Sequence, residues 1–585
     1  MMSMFLPQTF LHNLIQHDPF FFSFSLYILF SFTRYCKTMT NTIDNISTQG
    51  NIPNISSFVL NNKIDHPSIM TQDHAEKRPM VAKMASSVDF QDTDKEGKPT
   101  IYLFIFVNPR SGDQKGGDLV DLPIQHFRMR RFPQVQVEIH NILNDKDRNL
   151  GIDNIRLVQS MVAYGKVQPV AEEATKMDTN TDVGHLSRAA QSRQIHVWSA
   201  GGDGTVMSVF ELLVSHKINL DLIFFSCIPF GTGNDFSQVL GWGRTIPKKD
   251  IVGYKLHALE DLIADRLEKS EAARLDIWQV TMTSYPSGYV REAGPKERRD
   301  GHDVAEVKAR NQEPNEMVRK MSNYMSIGVQ GYVGNGFEAH RAGNRLANMF
   351  VYAQESSKWV FWRKFPDVNQ FIQSINQGNQ VLLDCPLPDE KNDKKKSSHV
   401  PEMMNCPIDF VIQNIPHIWG REVDLWGEAQ SGLESVANRS GPTDPANWLP
   451  QRANDGRLEI MTIENMVSYL KKLANIRNHV SRIGQFETPF AIHFRPPEVH
   501  ESELAKMKKT SWTKKAQAMI KNKTRHKYEK RNVICIMCDG EFYEIKDPKT
   551  IEFKLYDQIW TLGRNEKEKQ GRLVKDELDT KQDQQ

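Results

Sequence analysis

Residues 195–216 run Ile195-His-Val-Trp-Ser-Ala200, Gly201-Gly-Asp-Gly-Thr205, then Val206 to His216. The first six are apolar enough for a buried strand. Beyond the glycines, Val206, Val209, Phe210, Leu213 and Val214 recur at helical spacing. Strand, glycine turn and helix in immediate succession are the repeating unit of a parallel α/β layer. The same pattern recurs on both sides. Upstream, Ile101–Val107 is a continuous apolar run, the mark of a strand buried on both faces, and it ends at Asn108-Pro-Arg-Ser-Gly112. Val135–Ile142 reads as a further strand. Downstream, Leu220–Ile228 reads as another and leads into Pro229-Phe-Gly-Thr-Gly-Asn-Asp235. Residues 165–194 form a polar insertion in this layer.

Beyond about residue 280 short strand-like runs dominate: Trp278–Thr283, Tyr324–Val329, Gln380–Asp384, Ile408–Ile415, Leu458–Ile463, Pro489–Phe494, Val533–Cys538 and Ile551–Leu555. Polar loops at 286–320, 386–402 and 428–453 separate them. The expected architecture is an α/β nucleotide-binding domain over 98–280 followed by a β-rich sandwich domain over 281–562. The second domain carries a basic insertion at 497–531. Residues 1–97 read as a disordered leader and 563–585 as a disordered tail.

At 39% hydrophobic and 25% charged residues, the 585-residue chain has the composition of a globular protein. Its formal charge of +2 excludes a uniformly basic nucleic-acid binder. Six scattered cysteines exclude a disulfide scaffold, and Cys535-x-x-Cys538 lacks the second pair that zinc requires. The apolar run 20–32 is shorter than the ~20 residues of a membrane-spanning helix. It has no preceding Lys or Arg, as a signal peptide would. An interfacial anchor and a non-functional extension ahead of Met39 both remain open.

The chemistry concentrates at the three glycine turns. Glycine lets a backbone approach an anion closely, and the helix that follows aims N–H groups and its positive end at phosphate. Ligands on open parallel sheets bind beyond the carboxyl ends of the strands. Neither a Walker loop nor the dinucleotide G-x-G-x-x-G pattern is present. Phosphate is therefore expected on the backbone of Gly201, Gly202, Asp203, Gly204, Gly231, Gly233 and Asn234, with Asn108, Thr205 and Thr232 alongside. Asp203 and Asp235 stand inside these loops, either as turn residues or as ligands to a metal.

GGDGT at 201–205, IFVNPRSG upstream and PFGTGNDF downstream together resemble the catalytic domain of the diacylglycerol kinases. Wider relatives are the sphingosine and ceramide kinases and, more distantly, NAD kinase and phosphofructokinase, so a three-layer domain of that type is implied. Asn323-Tyr-Met-Ser-Ile-Gly-Val329, Asn414-Ile-Pro416, Trp426-Gly427 and Asp455-Gly-Arg-Leu-Glu459 look like successive landmarks of the family's accessory domain. The resemblance covers roughly 98–560. It implies ATP and magnesium as cofactors, diacylglycerol as substrate and phosphatidic acid as product. It makes Asp539 of Cys-Asp-Gly-Glu541 the general base, a residue that by itself reads as half of a hairpin turn. Asp276 resembles a member, with Asp203 and Asp235, of an acidic relay that organises magnesium; it reads equally as a partner of Arg274 or a strand cap. Asp203 is implied as catalytic too.

Some positions depart from the family. Gln330 stands where an aspartate is common, and Phe542-Tyr543 follow Asp-Gly-Glu where animal enzymes carry proline and tryptophan. Zinc-binding C1 modules each need six cysteines and two histidines, so none is expected here, and no EF-hand loop is visible. Alternatives of the same fold are a sphingosine, ceramide or monoacylglycerol kinase, or a catalytically silent lipid sensor. Residues 506–531 hold eleven Lys or Arg and one acid, Glu529, with Trp512, Ala516, Met519 and Ile520 at helical spacing. The segment reads as a surface for anionic lipid rather than nucleic acid, or as a solvated loop. A cytoplasmic, peripherally membrane-associated enzyme is the expectation.

Overall fold

The computed structural model describes residues 99–564 except 112–114, 123–124, 168–185, 232–233, 245–255, 295–313, 341–350, 353, 357, 360–364, 388–398, 419–420, 423–424, 429–434, 474–479 and 500–530. The apolar run 20–32, the segment 506–530 and the tail 565–585 lie outside the described residues, as do Thr232 and Gly233.

Strand β1 (Ile101–Val107) is apolar and buried at every position. Because side chains alternate along a strand, Tyr102, Phe104 and Phe106 enter one core while Ile101, Leu103, Ile105 and Val107 enter another. β2 (His126–Arg128) pairs antiparallel with β3 (Val135–Asn141) at the outer edge. β1 pairs in parallel with β3 on one side and with β4 (Ile195–Gly201) on the other, and β4 pairs with β5 (Ile223–Pro229). The order β3-β1-β4-β5 reverses direction between β1 and β4, the crevice where parallel sheets bind ligands.

Both faces are covered by helices, as parallel strands require. Helices α2 (Asp145–Ala163) and α3 (Asp203–Ser215) send Ile152, Ile155, Val206, Val209, Phe210 and Leu213 to the core of Phe104. On the other face, α1 (Lys115–Val120) and α5 (Leu256–Lys269) supply Leu119, Leu259, Ile263 and Leu267. The short α4 (Asp235–Val239) follows the third glycine turn. β5 starts three residues later than expected, because the Asn219 side chain accepts from Asp221 N and turns 220–222 into a 3₁₀ helix.

The remaining chain is strand-rich. β6 (Glu271–Glu292) and the last strand β16 (Glu541–Gly563) pair antiparallel along nearly their whole lengths. β7 (Glu316–Met321) lies against β6. One series runs β13 (Ser481–Glu487), β12 (Arg457–Ile463), β11 (Asp409–Gln413), β8 (Tyr324–Gly328), β15 (Val533–Cys538), β16. A second runs β10 (Gln380–Asp384), β9 (Ile372–Gln377), β14 (Phe490–Phe494), β16. Ile327, Phe410 and Ile536 from the first meet Ile375, Ile492 and Phe553 from the second in one shared core.

The boundary expected at residue 280 falls inside β6. The far end of β16 returns to the first layer, with Thr561 paired in parallel to Phe225 of β5 and Leu562 buried in the core of α1 and α5.

Candidate active site

The first loop forms because β4 stops at glycines. Gly202 is the N-cap of α3, and among the described residues no side chain caps that end. Phe230 N and Gly231 N donate to Gly201 O at 2.9 and 3.3 Å, which draws the third glycine turn against the first. A Cβ on Gly231 would lie 2.5 Å from Gly202 Cα, so this approach excludes any side chain there. Asn234 adopts left-handed backbone (φ +55°), and its Nδ2 donates to Gly231 O and Arg244 O at 2.7 and 2.8 Å. Its Oδ1 is buried and meets no donor among the described residues.

Asp203 belongs to the first loop but serves the second. Its carboxylate accepts Asp235 N at 3.0 Å and Phe236 N at 2.9 Å, capping α4. Burial raises its pKa despite these bonds. Asn108, at the end of β1, donates Nδ2 to Thr205 Oγ1 at 3.3 Å across the reversal point. The described phosphate-loop residues expected from sequence thus converge on one crevice. An uncapped helix terminus beside an orphaned acceptor fits a ligand that carries both an anion and hydroxyl donors, as a nucleotide does.

Asp276 is fully buried on β6. Its Oδ2 accepts Gly456 N at 2.8 Å and its Oδ1 accepts Gln558 Nε2 at 2.6 Å, which ties β6 to the 453–456 turn and to β16. Burial, with Asp455 adding, pushes its pKa up to about 6. Arg274 stacks over the Trp560 ring, 4.4 Å from its centroid. Among the described residues no three His, Cys, Asp or Glu side chains gather as a cation site. The three carboxylates expected around magnesium therefore do not gather as one cluster; Asp276 ties β6 to its neighbours instead.

The strand-rich half closes over the crevice through the β15–β16 hairpin. Asp539 and Gly540 take φ +46° and +86°, the left-handed pair that a two-residue hairpin demands. The Asp539 side chain is buried at 4% exposure. Its Oδ2 accepts Ser322 N (2.6 Å) and Ser322 Oγ (3.2 Å), and its Oδ1 accepts Asn323 N and Tyr324 N (both 3.0 Å). Burial outweighs these bonds, with the Asp203 charge adding, and pushes its pKa up to about 7. The Gln330 Oε1 accepts the Tyr324 O–H at 3.1 Å.

Sequence reasoning passed over the next residue in the turn. A Cβ on Gly204 would lie 3.4 Å from Glu541 Oε1, so Glu541 stands against the first turn of α3. Its Oε2 accepts the Tyr543 O–H at 2.8 Å. Gly204, Ser208 and Glu211 of α3 face Arg319, Lys320 and Glu541 across an open depression. Burial raises the Glu541 pKa, and Glu292 and Glu211 add to the rise. Glu541 was legible as part of the Asp-Gly-Glu string, whereas Arg319 and Lys320 fell in a stretch expected to be a loop.

Residues 102–275 match the diacylglycerol kinase catalytic domain, and residues 320–500 match the diacylglycerol kinase accessory domain. The chain belongs to the diacylglycerol kinase family. It is 24% identical to diacylglycerol kinase 4 of Arabidopsis thaliana over 390 residues, 63% of this chain and 68% of that protein. It is 25% identical to human diacylglycerol kinase theta over 66% of this chain and 30% of that protein. With the eye-specific diacylglycerol kinase of Drosophila melanogaster it shares 27% identity over 32% of this chain and 12% of that protein. The chain thus spans under a third of the length of those two animal relatives. In this diacylglycerol kinase family member the hairpin 539–541 lies beyond both matched segments, so its place at the site rests on geometry.

Proposed function

We propose that this chain transfers the γ-phosphoryl group of ATP to the free hydroxyl of 1,2-diacylglycerol, giving phosphatidic acid and ADP. The observation that carries this reading is the meeting of two parts over 330 residues apart in sequence, the α3 N-terminus at Gly204 and the carboxylate of Glu541. The amides at the start of α3, with Thr205 and Asn108, bind the phosphates, and the Asn234 acceptor takes a hydroxyl of the nucleotide. When bound, magnesium supplies charge neutralisation at the phosphates, and Asp203 and Asp235 are the loop carboxylates that would hold it.

The substrate oxygen forms a bond to the γ-phosphorus while the bond to the bridging β,γ-oxygen breaks, and the hydroxyl proton leaves to a carboxylate. We assign that proton to Glu541 rather than to Asp539. Two oxygens that already accept four donors leave Asp539 no lone pair for an incoming hydroxyl, and it serves to hold the hairpin. Glu541 is two residues on and stands against the phosphate loop, and burial, with Glu292 and Glu211 adding, raises its pKa.

The parallel layer between two sets of helices supports the phosphofructokinase-like type, and the shared core between two strand series supports a sandwich. Diacylglycerol resides in bilayers, and no helix among the described residues is long and apolar enough to cross one. We place membrane docking, at the cytoplasmic surface, on the basic segment 506–531, which precedes the strand that leads to Glu541.

The test uses the full chain with magnesium and labelled ATP, offered diacylglycerol, monoacylglycerol, sphingosine and ceramide in mixed micelles. Label is expected in phosphatidic acid, and label chiefly in a sphingoid product would overturn the substrate. Glu541→Gln is expected to lower kcat by ~10²–10⁴-fold. Wild-type turnover in that variant would remove Glu541 from the chemistry.

A further inference from the structure

Phe542 and Tyr543 follow the Asp-Gly-Glu turn directly. Alternation along β16 puts Glu541 and Tyr543 on one face. The Tyr543 O–H donates to Glu541 Oε2 at 2.8 Å, and the same phenol oxygen accepts Arg319 Nε at 3.2 Å. Arg319 lies over the Tyr543 ring, 5.6 Å from its centroid. Its two remaining nitrogens are committed as well, Nη1 to the Val318 carbonyl at 3.1 Å and Nη2 to the Glu292 carboxylate.

These bonds have a direction. A guanidinium carries donors and no acceptor, so at the phenol oxygen Arg319 can only give a hydrogen. The hydroxyl hydrogen of Tyr543 must then point at Glu541. Burial, reinforced by Cys538 and Glu541, drives the Tyr543 pKa far upward, so the phenol keeps that hydrogen throughout the working range. Phe542, between the two, seats its ring against Gly334, where a Cβ would lie 1.8 Å from the ring. This contact anchors the backbone from the opposite face.

We propose that Arg319 and Tyr543 are positioning residues, a two-step donor relay that fixes the Glu541 carboxylate by one oxygen and leaves the other aimed at the acceptor hydroxyl. The proposal rests on the reading of Glu541 as the proton acceptor. A glutamate side chain has three rotatable bonds, and a displacement of about 1 Å at a reacting group costs on the order of 10²-fold in rate. The charged and titratable groups around Glu541 are Tyr543 on its own strand, Cys538 and Asp539 across the hairpin, Arg319 and Lys320 on β7, Glu292 on β6 and Glu211 on α3. Of these, Tyr543 and Arg319 favour its charged form, and Glu292 and Glu211 oppose it.

The experiment compares the full-length wild type with Tyr543→Phe, Arg319→Gln, Arg319→Lys and Glu541→Gln, assayed for lipid phosphorylation from pH 5 to 9, with thermal unfolding as a control for folding. Tyr543→Phe is expected to lower kcat roughly tenfold to a hundredfold, the kinetic equivalent of one hydrogen bond to a charged group. Its KM for ATP should not change. The acid limb of its kcat profile should move to higher pH, because the bond that favoured the carboxylate is gone. Arg319→Gln should move the limb the same way, and Arg319→Lys should recover part of the loss. Arg319→Gln added to Tyr543→Phe should cost less than it does alone, as expected of a residue acting through the other. If Tyr543→Phe turns over like the wild type with an unmoved limb while Glu541→Gln is inactive, the relay is overturned and Glu541 keeps its role. If Glu541→Gln is fully active, or the wild type phosphorylates none of the lipids, the reading beneath the relay falls and the relay falls with it.

Discussion

Two acidic side chains in one hairpin serve different ends, and their hydrogen bonds separate them. Asp539 receives Ser322, Asn323 and Tyr324, while Glu541 presents an oxygen to Gly204. The same reasoning applies to His140 on β3, far along the first layer. It is buried at 3% exposure, with Nδ1 3.0 Å from Asp147 Oδ1 and Nε2 3.3 Å from Glu138 Oε2. Burial alone would lower its pKa. The bonds to Asp147 and Glu138 outweigh burial and push it up to about 9. A histidine whose folded pKa exceeds its unfolded value adds stability that is complete below about pH 6.5 and is lost as pH rises through about 9. The amount is on the order of 3 kcal/mol. The thermal midpoint of the wild type should therefore exceed that of His140→Gln by most near pH 6, with the gap narrowing toward pH 9.5. A gap that stays constant across that range would show that His140 is neutral in the folded chain.

Elements were legible where one physical signal was enough. β1 and β15 have the bounds that their apolar runs imply, since a strand buried on both faces admits little else. β6 and β16 were legible only in part, as the pieces 278–283 and 551–555. Register shifts near 546–550 and 555–557 bend the pair, and the polar stretch Lys546-Asp-Pro-Lys549 interrupts the apolar pattern ahead of 551–555. β7, Glu-Met-Val-Arg-Lys-Met, reads as a loop because it is only partly buried. Within the site, the glycine turns announced themselves, while the choice of Glu541 over Asp539 depended on Ser322, Asn323 and Tyr324 arriving from β8 and the turn before it.

Packing of helix α6 (Val329–Glu338) is likewise invisible in sequence until Phe542 is placed beside Gly334. Gly334→Ala must push that ring aside. Overpacking of this kind costs about 1–3 kcal/mol, and here it also displaces the residue next to Glu541. We expect a lowered thermal midpoint together with reduced kcat, and Phe542→Ala in the same chain should recover part of the midpoint. Failure of Phe542→Ala to recover any stability would place the strain elsewhere on α6.

At the scale of the whole molecule, the last strand joins what the sequence presents as two domains, and the described residues form one compact unit. β16 begins at the hairpin of Glu541, passes between the two strand series, and ends beside β5 of the nucleotide-binding layer. Four hydrogen bonds fasten that end: Trp242 Nε1 and Ser226 Oγ to Leu562 O (2.8 and 3.4 Å), Thr561 Oγ1 to Ala273 O (2.9 Å), and Arg564 N to Leu240 O (2.7 Å). Ile559 and Leu562 are buried in the cores on opposite faces of the layer. Each fully buried side chain of that size contributes about 1.5–3 kcal/mol, so the strand end holds a sizeable part of a typical stability of about 5–15 kcal/mol. A chain ended after Arg564 should melt as the full chain does, in one transition. A chain ended after Tyr556 should lose that single transition and bare the edge of β5, with aggregation as the visible result. The two truncations differ by eight residues, which confines the comparison to the strand end. Equal melting of both would mean that the nucleotide-binding layer is complete without β16, and that the glycine loops and Glu541 are held together by the β6–β16 pairing farther along the strand.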